Sequence, residues 1–227
     1  MIDCDQCPVR NRAVCAALTE TDRADLARHG RIVTLSRGDR LFSAGDDSDR
    51  CATLISGALK VSTVDAEGGE HMLALIHPAG FVGELFAPFA AHDVSALTTS
   101  QLCLFSRSQI NATMARHPEL GQALLQRSQE EIHAARNLLA LTGRRSAKAR
   151  VAGLIVAISN AASHSACHGA LKFDLPLTRG EMAELLGLTI ETVSRQFGSL
   201  EAAGLIRRTS ARGLEVTDAR GLSDLAA

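Results

Sequence analysis

Three cysteines fall within the first fifteen residues, as Cys4-x2-Cys7-x7-Cys15. A Cys-x2-Cys pair lets two thiolates reach one centre from a single turn, and Cys15 supplies a third. Burial is the usual explanation for a free cysteine, but three thiols in fifteen residues have no core of their own to pack into. A tetrahedral zinc site or an iron–sulfur cluster needs a fourth ligand from elsewhere; the competing reading is a redox-sensing thiol pair. In a reducing compartment, clustered cysteines favour metal ligation or redox chemistry over structural disulfides. Cys103, in Ser100-Gln101-Leu102-Cys103-Leu104-Phe105, reads alone as a core thiol. Beside three cysteines that lack a fourth partner, it becomes the leading candidate ligand. Cys51, ahead of Ala52-Thr53-Leu54 at a strand start, reads as a packed small hydrophobe. His164-x2-Cys167-His168 has no second well-spaced pair and reads as a surface loop.

A second chemistry lies near the C-terminus, in residues 177–197. Thr178-x-x-Glu181 is a capping box that opens a short helix with an apolar stripe of Met182, Leu185 and Leu186. Gly187 ends it, because glycine enters the left-handed conformation without a Cβ penalty. Thr189 caps a second helix whose apolar face is Ile190, Val193, Phe197 and Leu200. Glu191, Ser194 and Arg195, at i, i+3 and i+4, then share its outward face. This is the pattern of a DNA-binding helix-turn-helix, whose second helix meets base edges in the major groove. Arginine bonds guanine in bidentate fashion and a carboxylate accepts from cytosine. Residues 204–216 read as a β-hairpin, a wing from which Arg207, Arg208 and Arg212 can reach phosphates. The DNA-contacting set is Thr178, Arg179, Thr189, Glu191, Thr192, Ser194, Arg195, Arg207, Arg208 and Arg212.

The elements that must position these groups follow from the rest of the chain. Thr19 opens a short helix. From Arg31 to Ser106, short apolar runs alternate with glycine-marked turns at regular spacing, which predicts antiparallel β-structure. Asp46-Asp47-Ser48-Asp49 is an acidic turn with no downstream ligand set for calcium. Residues 118–143 read as a long helix, with Leu125, Ser128, Ile132, Ala135, Leu139 and Thr142 on one heptad seam. That seam has only three large aliphatic residues, enough to pair two subunits conditionally. Gly143-Arg144-Arg145-Ser146 is the expected hinge, and Ala147 to Asn160 a further helix. The predicted fold class is α+β. It comprises a cysteine-rich segment (1–20), an antiparallel β-roll (21–117), a dimerisation helix (118–143) and a winged helix-turn-helix (144–227).

Composition narrows the function. The net charge is −1, so basic residues act locally rather than globally. Aromatics make up 3 %, with no Trp or Tyr, which argues against base-stacking single-strand or RNA platforms. No run approaches 18 apolar residues and the N-terminus lacks a basic, apolar leader, so a cytoplasmic protein with no membrane partner is expected. No phosphate loop, nucleophile elbow or paired acidic site supports an enzyme.

The order β-region, long helix, winged helix-turn-helix resembles the cyclic-AMP receptor protein superfamily of transcription regulators. Within it the chain most resembles the fumarate and nitrate reduction regulator branch, over essentially its whole length. The resemblance rests on the cysteine trio, Thr98-Thr99-Ser100-Gln101-Leu102-Cys103, Gly80-Phe81-Val82-Gly83, and Leu188-Thr189-Ile190-Glu191-Thr192-Val193-Ser194-Arg195. It implies that Cys4, Cys7, Cys15 and Cys103 ligate a [4Fe–4S] cluster, which oxygen converts toward [2Fe–2S], weakening a homodimer and releasing DNA. It implies that Glu191, Ser194 and Arg195 read an inverted repeat with TTGAT-type half-sites, serine at 194 being what distinguishes this branch, and that activation runs through RNA polymerase.

The x7 spacing before Cys15 resembles a variant of the branch rather than its shorter form. Gly83-Glu84-Leu85 matches the start of a cyclic-nucleotide cassette, but residues 90–96 lack its arginine and add Asp93, which repels phosphate, so no cyclic nucleotide is expected. Where some members carry an acidic residue facing its twin, this chain has Ala135, which removes a repulsion across the two-fold axis. Dimerisation is therefore expected to survive cluster loss in part. Sedimentation of cluster-free protein checks this, and a clean monomer at micromolar concentration would contradict it.

Overall fold

The computed structural model describes residues 3–144, 146–163 and 169–227. Arg145 of the expected hinge and the His164-x2-Cys167-His168 motif lie outside the described residues. Contacts divide the chain into two compact units, 1–134 and 135–227, each described by itself.

In the first unit a 3₁₀ turn, Val14–Ala17, leads into α1 (Glu20–His29), capped by the Thr19 hydroxyl, which accepts from the Asp22 N–H. Eight strands follow: β1 (Arg31–Leu35), β2 (Arg40–Phe42), β3 (Arg50–Ser56), β4 (Leu59–Val64), β5 (Glu70–Ile76), β6 (Phe81–Val82), β7 (Asp93–Ala96) and β8 (Ser100–Ser106). They form two four-stranded antiparallel sheets, ordered β1-β8-β3-β6 and β2-β7-β4-β5. The apolar runs 32–35, 53–55, 59–61 and 73–76 lie in strands β1, β3, β4 and β5 of this roll. Leu54, Leu59, Val82, Leu102 and Leu104 bury between the sheets, and β3 is covered on both faces along its middle five residues.

Two glycines are required by the backbone. Gly57 turns β3 into β4 at φ +91°, and a Cβ there would lie 2.3 Å from the Ser100 hydroxyl. Gly83, at φ +117°, would place a Cβ 2.7 Å from the Cys51 Cα.

Helix α2 (Arg107–Arg116) opens on a Ser106–Gln109 capping box, and α3 (Pro118–Thr142) begins with proline at its first position, where no intrahelical N–H is lost. Leu120 and Leu124 of α3 pack with Leu26, Phe105 and Ile110 in a second core.

The division between units falls inside α3, at 134/135, rather than at the 143/144 boundary expected from the sequence. Its last turns belong to the second unit because Leu138 and Leu141 are buried and the Leu141 side chain closes over Gly153. In that unit α4 (Ala147–Ala162) buries Val151, Leu154, Ile155 and Ile158 and packs against α6 (Ile190–Ala202) and α7 (Ala219–Ala226). Helix α5 (Arg179–Leu186) precedes α6. Strands β9 (Lys172–Asp174), β10 (Ile206–Arg208) and β11 (Gly213–Val216) form a three-stranded sheet, ordered β10-β11-β9. Among the described residues no helix is long and apolar enough to cross a membrane.

Candidate functional site

Cys4, Cys7, Cys15 and Cys103 line a single cavity of about 380 Å³. They arrive from three places: the N-terminal turn, the 3₁₀ turn, and β8, where Cys103 sits opposite Ile32 and Thr53 in the ladders. The walls are apolar, with Val9, Val14, Leu26, Ile32, Phe81 and Leu124 among them. Among the described residues no three His, Cys, Asp or Glu side chains close around one metal-ion position. Cys51 is fully buried in the core it shares with Leu26, Phe105 and Ile110, as its strand position suggested.

Burial pushes the Cys103 thiol well above its ordinary range and the Cys15 thiol up to about 11, with the neighbouring thiols adding to each shift. Cys4 is raised for the same first reason. The opposing charge is Arg23 of α1, which favours the thiolates of Cys4 and Cys15. Its Nε donates to the Cys15 carbonyl at 3.1 Å and its Nη2 to the Leu18 carbonyl at 3.1 Å. Sequence reasoning missed Arg23. Its position one turn into the first helix after the cysteines was the available signal. Burial favours the protonated thiols, and a bound metal centre would stabilise the thiolates and displace their protons. The donor set and the apolar walls fit an iron–sulfur core.

The candidate DNA-contacting residues are positioned by local chemistry. Thr178 and Glu181 close a capping box, and Gly187 adopts the left-handed conformation at φ 60°, ψ 44°. Arg150 of α4 donates to the Leu186 carbonyl at 3.0 Å, satisfying the end of α5. The Thr189 hydroxyl accepts from the Thr192 N–H and opens α6. Val193, Phe197 and Leu200 are buried, each burial contributing on the order of 1.5–3 kcal/mol. Glu191, Ser194 and Arg195 are exposed together, with Thr192 partly covered between them. The Glu191 carboxyl is held below its ordinary value, first by its own helix-start N–H and then by the Thr189 hydroxyl. An Arg195 Nη2–Thr192 hydroxyl contact of 3.4 Å steadies the guanidinium.

Two expectations are corrected here. Ile190 is 52 % exposed rather than part of the buried face, although its Cδ1 lies near Gly180 of α5. Arg179 lies half-buried with its guanidinium 3.3 Å from the Phe197 ring centroid, so it supports the recognition helix from beneath.

In the wing, Arg207 pairs with Glu215, and Arg208 with Glu201 at 2.6 Å. Lys172 adds a 3.6 Å contact to Glu215. These pairs hold β10 against its neighbours, and Arg212 sits half-buried at the hairpin. On α3 the seam residues Leu125, Ile132 and Leu139 are 64 %, 49 % and 72 % exposed, Ser128 and Thr142 are exposed, and Ala135 is half-buried. Near the cassette-like motif, the Glu84 carboxylate accepts from the Ala91 N–H at 2.8 Å. Asp93 is buried, accepts from the Ala44 N–H and pairs with Arg40 at 3.5 Å.

Two family models match. A cyclic nucleotide-binding domain covers residues 32–117 and a Crp-like helix-turn-helix domain covers residues 149–225. The transcriptional activator protein FnrL of Cereibacter sphaeroides is 36 % identical over 218 residues, 95 % of this chain and 88 % of that protein. The fumarate and nitrate reduction regulatory protein of Escherichia coli is 27 % identical over 90 % of this chain and 83 % of its own length. The solved structure of FixK2 from Bradyrhizobium japonicum shares the fold at a TM-score of 0.76 and 21 % identity, covering 87 % of this chain and 98 % of that one. Roll, long helix and winged helix-turn-helix thus occur in the order shared by these proteins, and the chain belongs to the CRP/FNR family of transcription regulators.

Proposed function

We propose that this regulator is an oxygen-responsive activator whose four cysteines hold a [4Fe–4S] cluster. The observation that carries the reading is the convergence of Cys4, Cys7, Cys15 and Cys103 on one apolar-walled cavity. A lone zinc would draw four sulfurs to about 2.3 Å from a point, whereas a polynuclear core would leave them further apart around the cavity. When bound, the cluster supplies the oxygen-sensitive chemistry.

The chain's own residues do the rest. Cys4, Cys7 and Cys15 tie the N-terminal segment to β8 through Cys103, so ligation orders that junction. The exposed α3 seam pairs two copies, which sets two α6 helices one turn of DNA apart on an inverted repeat. Occupancy of DNA then follows the dimer equilibrium. The similarity to FnrL, an activator by its name, supports activation. RNA polymerase is the partner through which an activator works, and the cytoplasm is where it meets DNA. The engaged Glu84 and the acidic Asp93 support control without a cyclic nucleotide.

Anaerobic purification with iron, acid-labile sulfide and zinc analysis tests this. Four iron and four sulfide per chain are expected; zinc without sulfide would contradict it. Val14 adjoins Cys15 and is buried in the cavity wall. Val14→His places a polar, hydrated ring there, so the visible absorbance is expected to bleach faster in air. An unchanged bleaching rate would remove Val14 from the account.

A further inference from the structure

The inner face of α3 carries a polar pair where its apolar stripe should continue. Leu120 and Leu124 are buried, and the next residues on that face, at helical spacing, are Arg127 and Glu131. Both are withdrawn from water: the Arg127 side chain is 23 % exposed, and burial pushes the Glu131 carboxyl up to about 6. Aliphatic residues would pack there without the desolvation cost of charge, so the pair's partners matter.

Arg127 grips the loop that carries the cysteines and Glu131 grips a wall of their cavity, each through a main-chain atom. The Arg127 Nη2 donates to the carbonyl of Arg12, in the loop between Cys7 and Cys15, while its Nη1 pairs with Glu130 at 2.8 Å. The Arg127 Nε is buried with no hydrogen-bond partner among the described residues, so the guanidinium is held in place at a desolvation cost. The Glu131 carboxylate accepts from the Phe81 N–H at 3.0 Å. Phe81 lines the cavity, and it pairs with Thr53 in the ladder, which pairs in turn with Cys103. One rung of the sheet therefore runs from Glu131 to a candidate ligand. The next residue after each grip, Ser128 and Ile132, belongs to the exposed seam.

We propose that Arg127 and Glu131 are positioning residues that couple occupancy of the cysteine cavity to the geometry of the α3 seam. The assignment rests on the cluster reading above. Ligation holds the Arg12 carbonyl in place for Arg127 and the Phe81 N–H in place for Glu131, which sets the rotation at which α3 presents its seam. A loosened cysteine loop removes the Arg127 acceptor, and the seam loses that constraint. Charge-assisted hydrogen bonds to main-chain atoms are sensitive to small displacements, which suits a coupling element better than a packing one.

The test compares full-length wild type with R127Q, R127K and E131Q, purified anaerobically. Iron and sulfide per chain and sedimentation are measured with and without the cluster. R127Q is expected to keep the wild-type iron and sulfide while the change in dimer dissociation constant on loading shrinks by roughly ten-fold. R127K is expected to recover part of that change, and E131Q to behave like R127Q. A normal response to loading in both R127Q and E131Q would overturn the proposal while leaving the cluster reading intact. Iron loss in R127Q and R127K alike would assign Arg127 to cluster retention and overturn its coupling role, leaving E131Q to decide the Glu131 half. A wild type that takes up no cluster would fail the cluster reading itself, and the coupling proposal with it; one that takes up a cluster without changing its association state would overturn the coupling proposal alone.

Discussion

Cys103→Ser is expected to purify without visible absorbance and without operator affinity. Serine preserves the size of the side chain but offers a hydroxyl that stays protonated at neutral pH, where a metal centre needs a thiolate. Cys103 stands alone on β8, whereas the other three candidate ligands share the N-terminal segment. Removing it therefore detaches that segment from the roll as well as deleting one bond to the metal. Without the tether the α3 seam is left to its three aliphatic residues. DNA binding should then fall to the non-specific level, a loss of about 10³-fold or more. Cys51→Ala provides the contrast: that thiol is fully buried in the core beside the cavity but does not line it, so the variant should keep its absorbance even with reduced stability. Equal iron loss in both variants would mean that the roll, rather than a ligand, had been damaged.

Arg195→Ala is expected to lose between about 30-fold and about 10⁴-fold in operator affinity. One bidentate arginine–guanine contact is worth about 1–3 kcal/mol, and the two-fold axis of a dimer uses it twice. Arg195 is exposed on the outward face of α6, where its guanidinium contacts the Thr192 hydroxyl at 3.4 Å, so its removal should leave the fold intact. The loss should concentrate at one base pair of each half-site. Arg212→Ala would instead weaken all sequences alike and reduce the salt slope by about 1. Binding isotherms on singly substituted operators distinguish the two. A uniform loss for Arg195→Ala would place that side chain on the phosphate backbone.

Much of the second unit was legible because its signals are local. The Thr178–Glu181 capping box, the left-handed Gly187 and the Thr189 cap each lie within four residues of what they satisfy. The roll was legible from the spacing of its glycines and apolar runs, and Cys103 from the incompleteness of the cysteine trio.

What escaped were contacts between segments distant in sequence. Arg179 reads as a free cation until Phe197, 18 residues later in the numbering, comes to lie beneath it. Arg127 and Glu131 were hidden by the heptad seam one residue away on the helix, which drew the reading to the exposed face. Their signal was a polar interruption of the stripe begun by Leu120 and Leu124. Ile190 fits the apolar period of α6, but the period cannot show that it stays exposed in the first turn. The division inside α3 depends on Leu138 and Leu141 finding partners in the second unit, which no hydrophobic pattern within the helix reveals.

A cluster in the cysteine cavity that governs DNA binding must make colour and operator affinity change together. One experiment tests it most directly: adding air stepwise to anaerobically purified protein while recording its visible spectrum and its binding to an inverted-repeat operator in the same sample. The account predicts a brown protein that bleaches as oxygen enters and loses operator binding over the same interval. A colourless protein that binds the operator equally well before and after air would contradict it.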